Sequence, residues 1–447
     1  MAQQSDTMSL LGDLIAKARR AGADAADAML VEGVSLSHAQ RLGHTEKLER
    51  SESYDLGLRV LIGKRQAIVS TNDRSTQRFD ELVARAVAMA RAVPEDPYCG
   101  LASPAEIARD WPQLDMNDPE EPTPETLVSR AAAAEDAARA VPGVTNSEGA
   151  EASWGRSSIA LVGSNGFSGG YAGTGHSVSA SVLAGEGTAM ERDYDYSSAV
   201  YARDLRDPAE IGRSAGERAV RRLGARKVPT CQAPVVFDPR IASSILRHLV
   251  GAISGPAIAR GTSFLKDKLG AQIFPAGVTV VDDPHRRRGL RSKPFDGEGI
   301  ANVRRSIVEN GVLTTWLLDL GSARQLGLKT TGHAARGTSS PPHPAPTNLW
   351  LEPGPVTANE LIGDIPNGFY VTELMGMGVN GVTGDYSRGA AGFWIENGAL
   401  AFPVSEVTIA GNLKDMFRRL MPANDLEFKT GVDAPTLRID GMTIAGA

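Results

Sequence analysis

The sequence predicts an α+β protein in which an N-terminal domain of helices on antiparallel strands, duplicated in pattern, precedes a C-terminal β-barrel-like domain. Three observations lead there. The chain has 447 residues, well beyond the roughly 250–300 at which a single core stops growing. The order helix, antiparallel strands, helix occurs twice before residue 225. After residue 230 one helix is followed by many short strands separated by turn residues such as Glu309-Asn310-Gly311 and Glu396-Asn397-Gly398. The predicted domains are therefore 1–225, with repeats over 8–93 and 123–223, and 230–447.

In the first repeat, Leu10, Leu11, Leu14, Ile15 and Ala18 recur at intervals of three and four, which predicts a helix over Met8–Ala21. Leu56, Leu58, Val60 and Ile62 alternate with period two and turn at Gly63-Lys64, and Ala67–Ser70 reads as the returning strand. Phe79, Leu82, Val83, Ala86, Val87 and Ala90 define a second helix that Pro94 ends. Residues 94–122 are rich in Pro, Asp and Glu and read as a long surface connection.

Thr123-Pro124 then opens the second repeat as an N-cap with proline at the first helical position. Strands are expected at Val144–Ser153, Ser157–Val162, Tyr171–Leu183 and Ala189–Tyr201, and Asp207-Pro208 caps the closing helix. Beyond the linker Ala225–Thr230, a strand at Ala233–Phe237 and a helix at Ala242–Ile253 lead into the short strands of the second domain.

Composition narrows the function. A net charge of −6 and a pI near 5.8 argue against direct binding to nucleic acid, which needs a basic excess. The runs 218–222 and 285–288 read as solvated surface. Two cysteines, Cys99 and Cys231, suit a reducing compartment. The beginning lacks a basic segment and no apolar run approaches the ~18 residues of a membrane span, so a soluble cytoplasmic protein is expected.

A zinc peptidase needs paired imidazoles and a carboxylate on a helix, as in His-Glu-x-x-His. None of the seven histidines is followed by Glu. His248 lies on the predicted helix of the second domain without a second ligand at helical spacing. His333 and His343 fall in a Gly/Pro/Ser-rich segment, and Asp282-Asp283-Pro284-His285 reads as a polar turn. There is no Gly-x-Ser-x-Gly elbow and no phosphate-binding loop. Catalytic and metal-binding residues are therefore predicted as none. The unusual stretch is Met375–Gly398, so rich in glycine that it reads either as a tight barrel corner or as a groove where another backbone approaches closely.

That stretch, continued through Phe402–Met416, resembles the C-terminal signature of the PmbA/TldE proteins of the TldD/PmbA family, peptidase U62, whose older label is modulator of DNA gyrase. Gly251–Gly255, Pro294–Gly299, and the segment from Gly311-Val312-Leu313 through Ala334 carry the same resemblance, which spans essentially the whole chain. It implies a non-catalytic subunit of a TldD–TldE heterodimeric zinc metalloprotease that degrades or processes unfolded peptides and small proteins. The TldD-like partner would carry the zinc on a His-Glu-x-x-x-His helix and a C-terminal cysteine. The matching helix here, near Leu246–Gly251, has no such pair, and Asp425–Ala447 has no cysteine. No cofactor is expected on this chain.

On this reading Thr383, Gly384, Asp385, Ser387 and Arg388 line the shared cavity or support its substrate strand, although Asp385 and Arg388, three apart, also suit a brace across a turn. A homodimeric peptide-binding or regulatory protein without proteolytic activity is the alternative. A self-sufficient hydrolase built around His333, His343 or Asp385 is a third.

Overall fold

The computed structural model describes residues 2–73 and 75–446. Its first half follows the duplicated pattern: α1 (Ala2–Arg20), β1 (Ala25–Arg41), β2 (His44–Ile62), β3 (Arg65–Thr71) and α2 (Phe79–Ala92), then α3 (Pro124–Arg139), β4 (Val144–Gly163), β5 (Ser168–Ala184), β6 (Glu191–Ala199) and α4 (Pro208–Arg221). The repeats share one sheet of order β3-β2-β1-β4-β5-β6, joined antiparallel by β1 and β4 at its centre. The caps read from the sequence are present: Thr123 and Asp207 accept from Thr126 N and Ala209 N, each followed by proline. The two strands expected over 144–162 are one, β4.

Strand alternation divides the work of this sheet. Even-numbered Ala26, Ala28, Leu30, Leu56, Leu58 and Val60 pack against α1 and α2, while Leu36, Ala152, Trp154 and Val178 pack against α3 and α4. Odd-numbered Asp27, Met29 and Leu161 face the other way, toward Phe295 and the C-terminal part of the chain.

That part begins with β7 (Cys231–Phe237) and α5 (Pro239–Ala252), capped by Asp238. There follow α6 (Gly255–Ala259), β8 (Val280–Asp283), β9 (Arg305–Glu309), β10 (Val312–Leu313), α7 (Leu320–Leu326), β11 (Ala334–Ala335), β12 (His343–Pro344), β13 (Asn348–Leu351) and α8 (Ala358–Gly363). The chain ends with β14 (Asn367–Val379), β15 (Asp385–Glu396), β16 (Ala399–Asn412), α9 (Leu413–Arg418), β17 (Leu420–Pro422), β18 (Val432–Asp433) and β19 (Leu437–Ala445). Strands β16-β15-β14-β7-β19 hydrogen-bond in sequence, and β19 pairs back onto β16, which closes a five-stranded barrel. The second sheet runs β10-β9-β8-β13-β18, and α5 packs between it and the barrel. Ile245, Leu246 and Leu249 of α5 share one core with Val235, Phe369 and Leu349. Among the described residues no helix is long and apolar enough to cross a membrane.

Residues 94–122 are not a loose surface connection. Arg324 donates to the carbonyls of Tyr98 and Leu101, Ile107 bridges Ile300, and Trp111 packs on Phe295 with ring centroids 4.9 Å apart. Cys99, Ala102, Ala108 and Leu114 are buried. The strap is held by its contacts rather than by periodic secondary structure, which is why its composition misled.

The basic runs are also engaged. Arg222 pairs with Glu191 and with Glu373 of β14, and Arg288 pairs with Asp115 and Asp204. Asp282, expected in a polar turn, is fully buried on β8 and accepts from Thr347. Asp283 does cap a turn, accepting from His285 N.

The join between the first sheet and the C-terminal part centres on Asp27. Its carboxylate receives Arg59, its cross-strand partner on β2, and Arg336 at 2.8 Å. Burial alone would raise the Asp27 pKa, but the two guanidiniums hold it below the usual carboxylate range. Nearby, burial pushes Asp296 and Glu298 up, and each carboxyl opposes ionisation of the other.

Two predictions follow from opposite signs. Removing one partner of a buried ion cluster typically costs ~3–5 kcal/mol, so Asp27→Ala should lower the thermal midpoint by several degrees, measured calorimetrically at pH 7. Glu298 has a folded pKa above its unfolded value of about 4.3. Its contribution to stability is therefore full below that pH and lost as pH rises toward the folded value. The stability of Glu298→Gln relative to the native chain should then increase from pH 5 to pH 8 in parallel melts; a flat difference would contradict the assignment.

Candidate functional site

The site residues read from the sequence cluster at one hairpin. Strands β14 and β15 pair antiparallel with bulges between Val371 and Glu373 and between Met375 and Gly378, which increase the local twist of the ribbon. Asn380 begins the connecting turn and accepts from the backbone N–H groups of Val382 and Thr383. Gly384 is buried at φ +88, where Asn412 leaves a Cβ little room. Here glycine serves the turn, and Leu413 N donates to its carbonyl at 2.7 Å.

Thr383 and Asn412 donate to Asp385 at 2.6 and 3.0 Å and lower its pKa. Arg388 donates instead to the carbonyl of Met375 at 3.2 Å. Asp385 and Arg388 therefore do not brace one another. Residues three apart on a strand point to opposite faces, so helix-like spacing is no guide here.

The hairpin exposes apolar surface. Met377 is 89% exposed, and Met375 and Val382 are also exposed. A concavity of about 560 Å³ lies against it, lined by Met377, Gly378, Val379, Asn380, Gly381, Asp385, Tyr386 and Ser387. Gly376 and Gly381 have open space where a side chain would stand and leave backbone open to approach, so the surface is suited to a flexible chain with apolar side chains.

Behind the hairpin is α5. His248 faces the Tyr386 ring edge-on at 5.7 Å, and burial, with Arg388 adding, pushes its pKa down to about 4. His248 Nε2, the Tyr386 hydroxyl and the Ser244 hydroxyl one turn earlier are all buried without a hydrogen-bond partner. His248 has Ser244 and Ala252 at i−4 and i+4. Among the described residues no three His, Cys, Asp or Glu side chains converge to hold a metal ion. The donor set does not fit the zinc that the resemblance implies for its partner subunit, and no chemical step is assigned to a metal on this chain.

His333 makes a superficially catalytic arrangement, its Nδ1 2.8 Å from Thr331 Oγ1 and its Nε2 3.2 Å from Asp282 Oδ2. All three residues are buried, and the Thr331 hydroxyl already accepts from Leu318 N. None of them lines the concavities described. His343 is exposed on β12, paired with Ala335. This arrangement braces the second sheet.

A feature that motif reasoning missed is the helix-free face of the first sheet. The register aligns two rows across β2, β1, β4 and β5: Ser53, Gly33, Ser157 and Gly173, then Ser51, Ser35, Gly155 and Gly175. They floor a groove of about 480 Å³ opposed by Met116, Gly289, Leu290 and Ser292. A neighbouring concavity of about 930 Å³ shares Gly33, Ser53, Met116 and Tyr171 and reaches Trp111 and Pro294. The signal was present as pairs of small residues two apart in four successive strands.

Fold and site define an α+β protein with a six-stranded antiparallel sheet, a five-stranded sheet and a small closed barrel, open concave surfaces lined by glycine, serine and methionine, and no assembled metal-donor set among the described residues. Family models for the PmbA/TldA metallopeptidase match over residues 26–90 (domain 1), 117–223 (central domain) and 230–446 (C-terminal domain). The chain belongs to the PmbA/TldD family. It is 39% identical to the metalloprotease PmbA of Escherichia coli O157:H7, over 95% of this chain and 92% of that protein. It is 35% identical to a Haemophilus influenzae metalloprotease PmbA homolog, over 100% and 97% of the two chains. Among solved structures it resembles a putative modulator of DNA gyrase from Bacteroides thetaiotaomicron, with TM-score 0.91, 30% identity and 98% of both chains covered. TldE from Thermococcus kodakarensis shares the fold, with TM-score 0.87 at 19% identity over 98% of this chain and 100% of that one.

His248 should remain neutral through the physiological range. Its imidazole signals should hold still in an NMR titration from pH 8 to pH 5.5, moving only as pH approaches about 4. A midpoint near the ordinary value of about 6.5 would contradict the burial described.

Proposed function

We propose that this chain is the non-catalytic PmbA/TldE-type subunit of a cytoplasmic two-subunit zinc metalloprotease that processes unfolded peptides, with the zinc held by a TldD-like partner. The observation that carries the reading is the pairing of an exposed, glycine-opened hairpin with an α5 helix that offers one histidine and no second metal ligand. A wall of this kind can hold a flexible chain by main-chain contacts and leave bond cleavage to groups on the facing subunit. Thr383, Gly384, Asp385, Ser387 and Arg388 belong to that wall. Asp385 and Gly384 set the turn, Ser387 lies open on the strand, and Arg388 faces the α5 side.

The test is the rate of cleavage of an unstructured peptide by the purified chain with and without a TldD-like subunit, with bound zinc quantified in each sample. Activity and zinc are expected in the mixture alone. Met377→Asp, at a fully solvated position, should lower the mixture's kcat/KM about tenfold or more through lost apolar contact without shifting the chain's own melting temperature. Chelator-sensitive cleavage by this chain alone would overturn the assignment. Stable self-association, peptide binding without cleavage and no affinity for the partner would replace it with a homodimeric peptide-binding protein.

A further inference from the structure

The seam between α5 and β15 collects polar groups that the fold itself does not satisfy. The Tyr386 side chain is 2% exposed and its hydroxyl has no hydrogen-bond partner, nor do the buried His248 Nε2 and Ser244 Oγ. Arg388 shares the strand face of Tyr386, and its positive charge is felt at both rings. Only its Nε is bonded, to a main-chain carbonyl. The acids within reach along the hairpin are taken: Glu373 by Arg192 and Arg222, and Asp385 by Thr383 and Asn412. What remains is one guanidinium with free N–H groups beside a phenol, a hydroxyl and a neutral imidazole, with no anion to balance them. Tyr386 also lines the hairpin concavity.

A carboxylate is acceptor-only and negatively charged, and it complements the Arg388 guanidinium and the Tyr386 hydroxyl, which His248 joins as a donor in its Nε2–H tautomer. A cation is disfavoured by Arg388, and an apolar group would leave the orphan donors unpaired at a desolvation cost. We propose that Arg388, Tyr386 and His248 form a carboxylate-recognising subsite for a bound peptide, taking either its C-terminal carboxylate or an acidic side chain. The subsite rests on the peptide-handling reading of the same hairpin and adds a chemical preference to it. Ser244, one turn from His248 on the same helical face, supplies a further hydroxyl behind the imidazole.

The test uses the full chain, alone and with a TldD-like subunit, and a fluorescein-labelled unstructured decapeptide of neutral sequence in three forms: free acid, C-terminal amide, and amide with one internal Glu. Fluorescence anisotropy should show the free acid or the Glu peptide bound about tenfold tighter than the neutral amide, and which of the two is favoured identifies the source of the carboxylate. Arg388→Gln should erase the difference between the acidic and the neutral peptides. Tyr386→Phe, which removes one oxygen and keeps the ring, should reduce it by several-fold. Equal binding of all three peptides by the native chain would overturn the subsite while the peptide-handling reading stands. No binding of any peptide, alone or with the partner, would overturn both.

Discussion

A single buried carboxylate holds the two halves of this molecule in register. Asp27 stands on the helix-free face of the first sheet, where it meets Arg59 across the strand pair and Arg336 from the C-terminal part. Thr338 adds a hydrogen bond to Asp55 on the same face, and Gly57 has room for no side chain because the Thr338 carbonyl lies against it. These contacts fix where the barrel sits relative to the sheet, and with it the Gly/Ser groove and the hairpin beyond. An ion cluster at such a join specifies geometry, because any displacement leaves charges buried and unpaired.

Strand alternation makes that join possible. Where even-numbered side chains of β1, β2 and β4 are committed to the helices, the odd-numbered Asp27, Met29 and Leu161 face the C-terminal part, where they meet Arg336 and Phe295. Farther along the same strands the odd positions shrink to Gly and Ser, and the facing surfaces separate into a groove. One pleated sheet thus supplies a core, an interface and an open floor, depending on which residues occupy one face.

Much of the architecture was legible because it rests on local rules. Leu56, Leu58 and Val60 announced a half-buried strand, Thr123-Pro124 and Asp207-Pro208 announced helix starts, and Asn310-Gly311 and Asn397-Gly398 announced hairpins. The strap over 94–122 was misread because its order comes from Arg324, Ile300 and Phe295, residues far along the chain from it. The closing strand β19 gave little signal, since it is defined by pairing with β7 and β16 more than by its own pattern. At the candidate site, the glycine-rich stretch read as a barrel corner or a groove forms the end of the β14–β15 hairpin. Its chemistry was not legible, because whether Asp385 meets Arg388 depends on strand direction, and the orphan groups of α5 appear only when the helix is laid beside β15.

The central claim is that the β14–β15 hairpin is the surface this chain offers to peptide. Amide hydrogen exchange over residues 375–388, compared with and without an unstructured peptide in the presence of the partner subunit, tests it most directly. The account predicts slowed exchange along this hairpin, with α5 and barrel strands β7, β16 and β19 unchanged. Unchanged exchange there, with protection appearing instead along residues 33–35, 51–53, 155–157 and 173–175, would contradict it and move the peptide to the Gly/Ser floor of the first sheet.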